Sequence, residues 1–182
     1  GSVRRRAQLA WHRPDLELPE LRGNIQTRLA KLESEGFDAI VMAAAALDRL
    51  DLDPATTVDR LDPDLMVPQV AQGALAIECR TEDHKIAAAL AAIEDPSTRR
   101  VFDAERAFLR ELGGDCDLPA GAHGVLTGSG DEIELVGMLS SVDGRTLVRE
   151  QRRGDDPPAL GAAVARYLLD DAGGADLLGE AR

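Results

Sequence analysis

Apolar and polar residues repeat with two different periods along the first part of the chain. Helical spacing and strand-like alternation follow one another, and each pattern ends at a Gly, Pro or Asn residue. In order, the pattern predicts a short helix before Pro14, an edge strand at 16–21, a helix that begins after Asn24, a buried strand at 37–43 and a strand within 73–80. Strand and helix in alternation predict an α/β segment with a parallel component.

The second part of the chain has its elements in another order. Its pattern predicts two helices at 86–93 and 97–112, three strands at 120–127, 132–140 and 145–152, and a final helix at about 157–172. We expect Ser97 or Thr98 to cap the long helix and Gly113–Gly114 to end it. This order predicts a small α+β domain with a three-stranded antiparallel sheet.

The change of pattern places a domain boundary near residues 80–83. The segment before it holds about half the elements of a doubly wound α/β domain, and a glycine-rich anion loop is expected to precede it. We therefore expect an N-terminal portion of the protein to be missing from this sequence.

Composition limits the classes of function. The chain has 182 residues, of which 44% are hydrophobic and 30% charged, a balance typical of a globular protein. Its formal net charge of −12 argues against binding of nucleic acid, which depends on neutralised phosphates. No apolar run approaches the ~18 residues of a membrane span.

The cysteines and histidines show no metal or disulfide pattern. Two cysteines do not form a disulfide framework, and Cys79 lies in an apolar run that predicts a small core residue. The three histidines lie far apart, without the spacing of metal ligands.

Arginine supplies nearly all of the positive charge. Only two of the 21 basic residues are lysines, Lys31 and Lys85. Genome composition alone could explain this bias. Arginine is nonetheless the side chain that binds carboxylates through two parallel hydrogen bonds, so clustered arginines indicate a local site for a small anion.

The stretch Leu21–Arg28 is the best candidate for such a site. A strand turns through Gly23 into a helix that Asn24 caps, and the start of a helix attracts anions. Arg22 precedes this start and Arg28 follows about one turn later, so both guanidiniums are expected to converge there. The alternative is that they are surface arginines beside a capped helix.

A second candidate is the loop that carries Cys116. Two glycines precede this cysteine and Pro119 follows it, which predicts a bent, exposed loop. A thiol held on such a loop can form a covalent bond to another group. The alternative is an ordinary loop cysteine.

Six short segments together resemble one family. They are Ser2–Arg5, Leu21–Arg28, Asp38–Ala43 with Leu47–Leu50, Gln72–Arg80, Ala104–Arg106 and Gly113–Cys116. In this order and register they resemble the porphobilinogen deaminases, also called hydroxymethylbilane synthases, from the middle of the second domain to the C-terminus. The resemblance covers essentially the whole chain.

The resemblance implies a transferase that condenses porphobilinogen into hydroxymethylbilane and releases ammonia, on the route to haem. It implies a dipyrromethane cofactor held as a thioether on Cys116, with arginines that bind the acetate and propionate groups. The implied cofactor-binding residues are Cys116, Ser2, Arg4, Arg5 and Arg28, and the implied substrate-binding residues are Arg22, Gly23, Asn24, Arg28 and Arg49. No catalytic residue is assigned in this chain, because the family's catalytic aspartate belongs to the first domain.

The resemblance also implies an organisation in three parts. Residues 1–67 are expected to form part of a doubly wound domain like that of periplasmic binding proteins, 68–81 a crossover strand of the missing first domain, and 82–182 the α+β domain. We expect this chain alone to be inactive, and the protein to be monomeric and cytoplasmic, with no metal, membrane or nucleic-acid partner.

Three positions depart from the family pattern. Asp115 is an apparent insertion that, with Asp117, is expected to raise the pKa of the Cys116 thiol. Ala46 and Ala71 stand where the family usually has glycine. Two other functions stay open on these residues: a non-catalytic binding module for small carboxylates, related to periplasmic binding proteins, and a purely structural fragment.

Overall fold

A computed structural model describes residues 1–49, 58–114, 118–128 and 130–180, apart from the side chains of Arg49 and Glu180. In the first part it contains three helices, α1 (Val3–His12), α2 (Ile25–Ser34) and α3 (Ala44–Arg49). The predicted cap of α2 is confirmed, because the Asn24 side-chain oxygen accepts the Thr27 backbone N–H at 2.8 Å. This bond satisfies one of the free N–H groups at the helix start.

The prediction of three strands in the first part of the chain is wrong. Residues 16–21, 37–43 and 73–80 are assigned no strand. A strand needs the backbone of a neighbour for its N–H and C=O groups, and the described residues before 84 include no second strand that could supply them.

The absence of a sheet also corrects the prediction for Cys79, which is exposed and not part of the core. Its apolar neighbours share this exposure, with Leu75 at 77% and Ile77 at 60%. The apolar run at 73–80 is therefore not buried by any of the described residues.

The helices of the second part are α4 (His84–Ala91), α5 (Pro96–Glu111), α6 (Pro157–Arg166) and α7 (Gly174–Glu180). A π-helical turn at Tyr167–Asp171 continues α6, and α7 was not predicted. The cap of α5 is Asp95, not Ser97 or Thr98, because its carboxylate accepts the Thr98 N–H at 2.6 Å. Pro96 can then occupy the first helical position, where its missing N–H costs nothing.

The predicted antiparallel sheet is confirmed. Its strands are β1 (Ala120–Thr127), β2 (Glu132–Ser140) and β3 (Leu147–Gly154), in the order β1-β2-β3. Leu139 pairs with Ala120 on one side and with Val148 on the other. The third strand begins two residues later than predicted, because the Ser141 N–H donates to the Thr146 carbonyl across the turn.

The two faces of the sheet pack against different parts of the chain. Helices α5 and α6 cover one face, where Phe108, Leu135 and Val164 are fully buried. Val136 and Met138 lie on the opposite face against Val67. The first part of the chain is thus attached to the sheet on the face that α5 and α6 leave open.

Candidate functional site

A cavity of about 630 Å³ lies between the start of α1, residues 16–23, the start of α2 and residues 36–41. We call it the arginine cavity. It brings together five of the residues that the sequence nominated: Ser2, Arg5, Arg22, Gly23 and Arg28.

Arg5 and Arg28 supply positive charge to the arginine cavity. The half-buried Arg5 donates from Nη1 to the Val41 carbonyl at 3.5 Å and from Nη2 to Gln72 Oε1 at 3.4 Å. Burial lowers the pKa of Arg5, and the charge of Arg28 lowers this pKa further. Within the described ranges neither guanidinium forms an ion pair, so the two cations repel one another across the site.

The backbone around Gly23 places Arg28 at the start of α2. Arg28 Nε donates to the Gly23 carbonyl at 2.8 Å. Gly23 has φ +130°, and a Cβ there would lie 2.8 Å from Thr27 Cγ2. Only glycine fits this turn, so its role is to allow the close approach of the strand-like segment to the helix. Asn24 contributes as the cap, since its side-chain oxygen is already bound to Thr27.

Arg22 is less available than its two neighbours. Its side chain is 81% exposed and pairs with Glu20 at 3.0 Å. Glu17 and Asp38 also line the cavity, so its wall is of mixed charge. Among the described residues, the lining arginines without an ion-pair partner are therefore Arg5, Arg6 and Arg28.

Arg4 lies outside the arginine cavity. Its buried guanidinium donates from Nε to the Ala120 carbonyl of β1 and from Nη1 to Gln69 Oε1 at 3.4 Å. Consecutive helical residues point about 100° apart, so Arg4 and Arg5 face different surroundings. The structure places Arg4 against the sheet and in the wall of a second cavity of about 1000 Å³.

Two nominated residues cannot be placed: Cys116 lies outside the described residues, and so does the side chain of Arg49. The bend that leads to the cysteine is described, with Gly113 at φ +102° and Gly114 at φ +76°. On the other side of the loop, the Pro119 carbonyl accepts the Ser140 N–H at 3.0 Å. The two ends of the loop are thus fixed by α5 and by β2.

Sequence reasoning missed two residues next to the site, Gln72 and Glu105. Gln72 bonds to Arg5, and the buried Glu105 bonds to the backbone of the turn that carries Gln72. Both lie in segments that carry the family resemblance, Gln72–Arg80 and Ala104–Arg106. Hydrophobic periodicity did not indicate either residue, because it does not distinguish a buried polar side chain from a solvated one.

In the part of the chain that the structure describes, no three His, Cys, Asp or Glu side chains are grouped so as to hold a metal ion. No helix among the same residues has the length and apolar character needed to cross a bilayer.

Two family models match the chain. Residues 1–88 match "Porphobilinogen deaminase, dipyromethane cofactor binding domain", and residues 100–170 match "Porphobilinogen deaminase, C-terminal domain". The first match contains the arginine cavity, and the second contains α5, the sheet and α6.

Curated relatives agree with these matches. The chain is 45% identical over 93% of its length to a porphobilinogen deaminase of Halalkalibacterium halodurans, and 47% identical over 98% to one of Roseiflexus castenholzii. It is 44% identical over 98% of its length to a porphobilinogen deaminase of Bacillus subtilis. The chain spans 54%, 58% and 56% of these three relatives, respectively. With these matches on both halves, the chain belongs to the porphobilinogen deaminase family.

Proposed function

We propose that this chain is part of a transferase that condenses porphobilinogen units into hydroxymethylbilane, with release of ammonia, in tetrapyrrole biosynthesis. The observation that carries the proposal is the pair Arg5 and Arg28, two cations in one cavity that form no ion pair with any described carboxylate. Porphobilinogen carries an acetate and a propionate group, and planar guanidiniums bind carboxylates in a bidentate manner.

The same donors fit a dipyrromethane cofactor bound as a thioether to Cys116. Arg5 and Arg28, with Ser2 beside them, would hold its carboxylates, and Arg22 with the Gly23–Asn24 helix start would contact the incoming substrate. Arg4 and Arg49 complete the proposed set. When bound, the cofactor supplies the pyrrole on which the chain grows, and a covalent tether keeps that pyrrole at the site between condensations.

Three parts are proposed for this chain within the longer enzyme. Residues 1–67 would belong to a doubly wound domain of the periplasmic-binding-protein kind, 68–81 would cross to a sheet of the first domain, and 82–182 would form the C-terminal domain. The exposed Leu75 and Ile77 support this, because a crossover strand would bury them. A monomeric state and a cytoplasmic location stay predictions.

The isolated 182 residues are proposed to be inactive, because 37–43 and 73–80 form no sheet and the catalytic aspartate is expected from the first domain. Turnover of porphobilinogen by this chain alone would overturn the proposal of inactivity. A module that only binds small carboxylates would use the same arginines. The two family matches favour the transferase over that alternative.

Calorimetric titration with porphobilinogen tests the assignment of the cavity. Loss of one charged hydrogen-bonding group costs about 1.5–3 kcal/mol, so Arg28→Gln is expected to weaken binding by about 10- to 100-fold. Arg13→Gln is the matched control, because Arg13 pairs with Asp15 at 2.6 Å and lies outside the cavity. Equal affinities of the two variants would contradict the assignment.

A further inference from the structure

Glu105 is a buried carboxylate held between the two halves of the chain. It lies on α5 and is 6% exposed. Its Oε2 accepts the Ala71 N–H at 2.6 Å, and its Oε1 accepts the Gly124 N–H of β1 at 2.9 Å. Glu105 forms no ion pair with any described cation. A carboxylate buried without a cation is costly, so these two backbone donors are what stabilise it.

The Ala71 end of this contact is a turn, residues 69–74. The Gln72 N–H donates to the Gln69 carbonyl at 2.9 Å, and the Ala74 N–H donates to the Ala71 carbonyl at 3.1 Å. Ala71 has φ +60° and is the only described residue other than glycine with positive φ. This conformation costs an alanine about 1–2 kcal/mol, so the turn requires an outside contact to persist.

The 69–74 turn faces the arginines of α1. Gln72 Oε1 accepts from Arg5 Nη2, and Gln69 Oε1 accepts from Arg4 Nη1, both at 3.4 Å. One short turn therefore carries an acceptor for each of two neighbouring arginines. The same turn is joined to α5 by the bond from the Ala71 N–H to Glu105.

We propose that Glu105 is a positioning residue for the anion site. By holding the Ala71 N–H, it fixes the 69–74 turn, and the turn presents Gln72 to Arg5 and Gln69 to Arg4. The C-terminal half thereby sets the orientation of guanidiniums in the N-terminal half. The identity of the anion rests on the proposed function, whereas the positioning itself does not.

The physical setting of Glu105 supports this role. Burial raises the pKa of Glu105, and the N–H groups of Ala71 and Gly124 lower it in opposition. Both oxygens are used, so the side chain has no freedom to move without losing a bond. A carboxylate is needed because it is the side chain whose two oxygens both accept.

The test compares Glu105→Gln with Glu111→Gln in the 182-residue chain. Glutamine keeps the shape of Glu105 but removes its charge and leaves one acceptor oxygen for two N–H donors, so the bond to Ala71 is weakened or lost in either orientation of the amide. Glu111 lies on the same helix in a surface ion pair with Arg166, so its variant controls for lost charge. Two measurements without ligand are made by NMR: amide hydrogen exchange at Ala71, Gly124 and Val164, and the side-chain Nε signal of Arg5.

In Glu105→Gln we expect exchange at Ala71 to rise at least about tenfold, because a hydrogen bond to a charged group is lost, and the Arg5 signal to shift. Glu111→Gln is expected to change neither. An unchanged Ala71 and Arg5, or an equal rise in exchange at Val164 in the core of α6, would overturn the proposal. If Glu105→Gln does not fold, Glu105→Asp, which is too short to reach both donors, is expected to give the same local changes.

A third measurement separates this proposal from the proposed function. Glu105→Gln is expected to weaken porphobilinogen binding, and this effect is expected to vanish when Gln72 is already replaced by alanine. If Glu105→Gln weakens porphobilinogen binding equally when Gln72 is already alanine, Glu105 does not act through the 69–74 turn. If the unaltered chain binds no porphobilinogen, the proposed function fails, and the exchange and Arg5 measurements still decide the role of Glu105.

Discussion

Arg28 lies close enough to Arg5 for its charge to lower the pKa of the Arg5 guanidinium, and neither cation has an ion-pair partner among the described residues. Folding thus brings two like charges together without an ion pair to either of them among the described residues. Two like charges at close range cost stability, and a bound anion would offset this cost.

Arg28→Gln is therefore expected to leave the free energy of unfolding at low salt unchanged or higher. Arg13→Gln, which removes an exposed ion pair, is expected to lower it only slightly. Both differences shrink at about 1 M salt, where the screening length is about 3 Å. Urea unfolding at the two salt concentrations measures them, and a loss greater than about 1 kcal/mol in Arg28→Gln would contradict the repulsion.

His123 on β1 gives the stability a dependence on pH. Burial lowers the pKa of His123, and the charges of Asp64 and Asp62 oppose this in part. The folded state therefore prefers the neutral ring, and stability is lost as the pH falls through about 6.5, the unfolded value, toward the lower folded pKa. The loss is complete below the folded pKa.

Urea unfolding between neutral and mildly acidic pH is expected to show this loss, and His123→Gln is expected to remove it. Asp62→Asn takes away one opposing charge, so an NMR titration of this variant is expected to give a still lower pKa for His123. A pKa that rises in Asp62→Asn would contradict the account.

Substitution by glycine is expected to have opposite effects on stability at Ala46 and Ala71, the two positions where we expect glycine in the family. Ala71 has φ +60°, so Ala71→Gly relieves a strained conformation and is expected to stabilise by up to about 1 kcal/mol. Ala46 lies inside α3, so Ala46→Gly is expected to destabilise by about 0.5–1 kcal/mol. Thermal unfolding of both variants measures the contrast, and two changes of the same sign would contradict it.

Close packing of α5 on α6 depends on Gly161. A Cβ at this position would collide with the Ala104 carbonyl oxygen and lie 2.8 Å from Ala107 Cβ. Gly161→Ala is expected to destabilise by about 1–3 kcal/mol, because the helices must move apart. Gly154→Ala is the control, since the nearest atom to its Cβ would be in Leu160, at 3.5 Å, an ordinary contact distance. Similar unfolding midpoints for the two variants would count against this packing.

Local rules in the sequence predicted much of the C-terminal half. Strand alternation and turn glycines depend on neighbouring residues, and the sheet from Ala120 to Gly154 followed them closely. The cap of α5 was missed because two hydroxyl residues and an aspartate compete within four positions, and only the backbone shows that Asp95 is used. The strands predicted at 37–43 and 73–80 required partners that local patterns do not supply.

The candidate site was predicted in part for a similar reason. Spacing around Asn24 predicted that Arg22 and Arg28 would meet at a helix start, and both line the same cavity. Spacing could not show that Glu20 would form an ion pair with Arg22, nor that Arg4 would be buried against Ala120. Those contacts join residues from separate elements, so they follow from packing and not from periodicity.

The covalent role of Cys116 is decided by the intact mass of the protein expressed from its complete gene. The wild-type protein and Cys79→Ser are expected to exceed their calculated masses by one dipyrromethane and to give the Ehrlich colour reaction. Cys116→Ser is expected to have its calculated mass and no colour. An unmodified Cys116 in active protein, or an adduct that persists in Cys116→Ser, would contradict the proposal that this sulfur holds the cofactor.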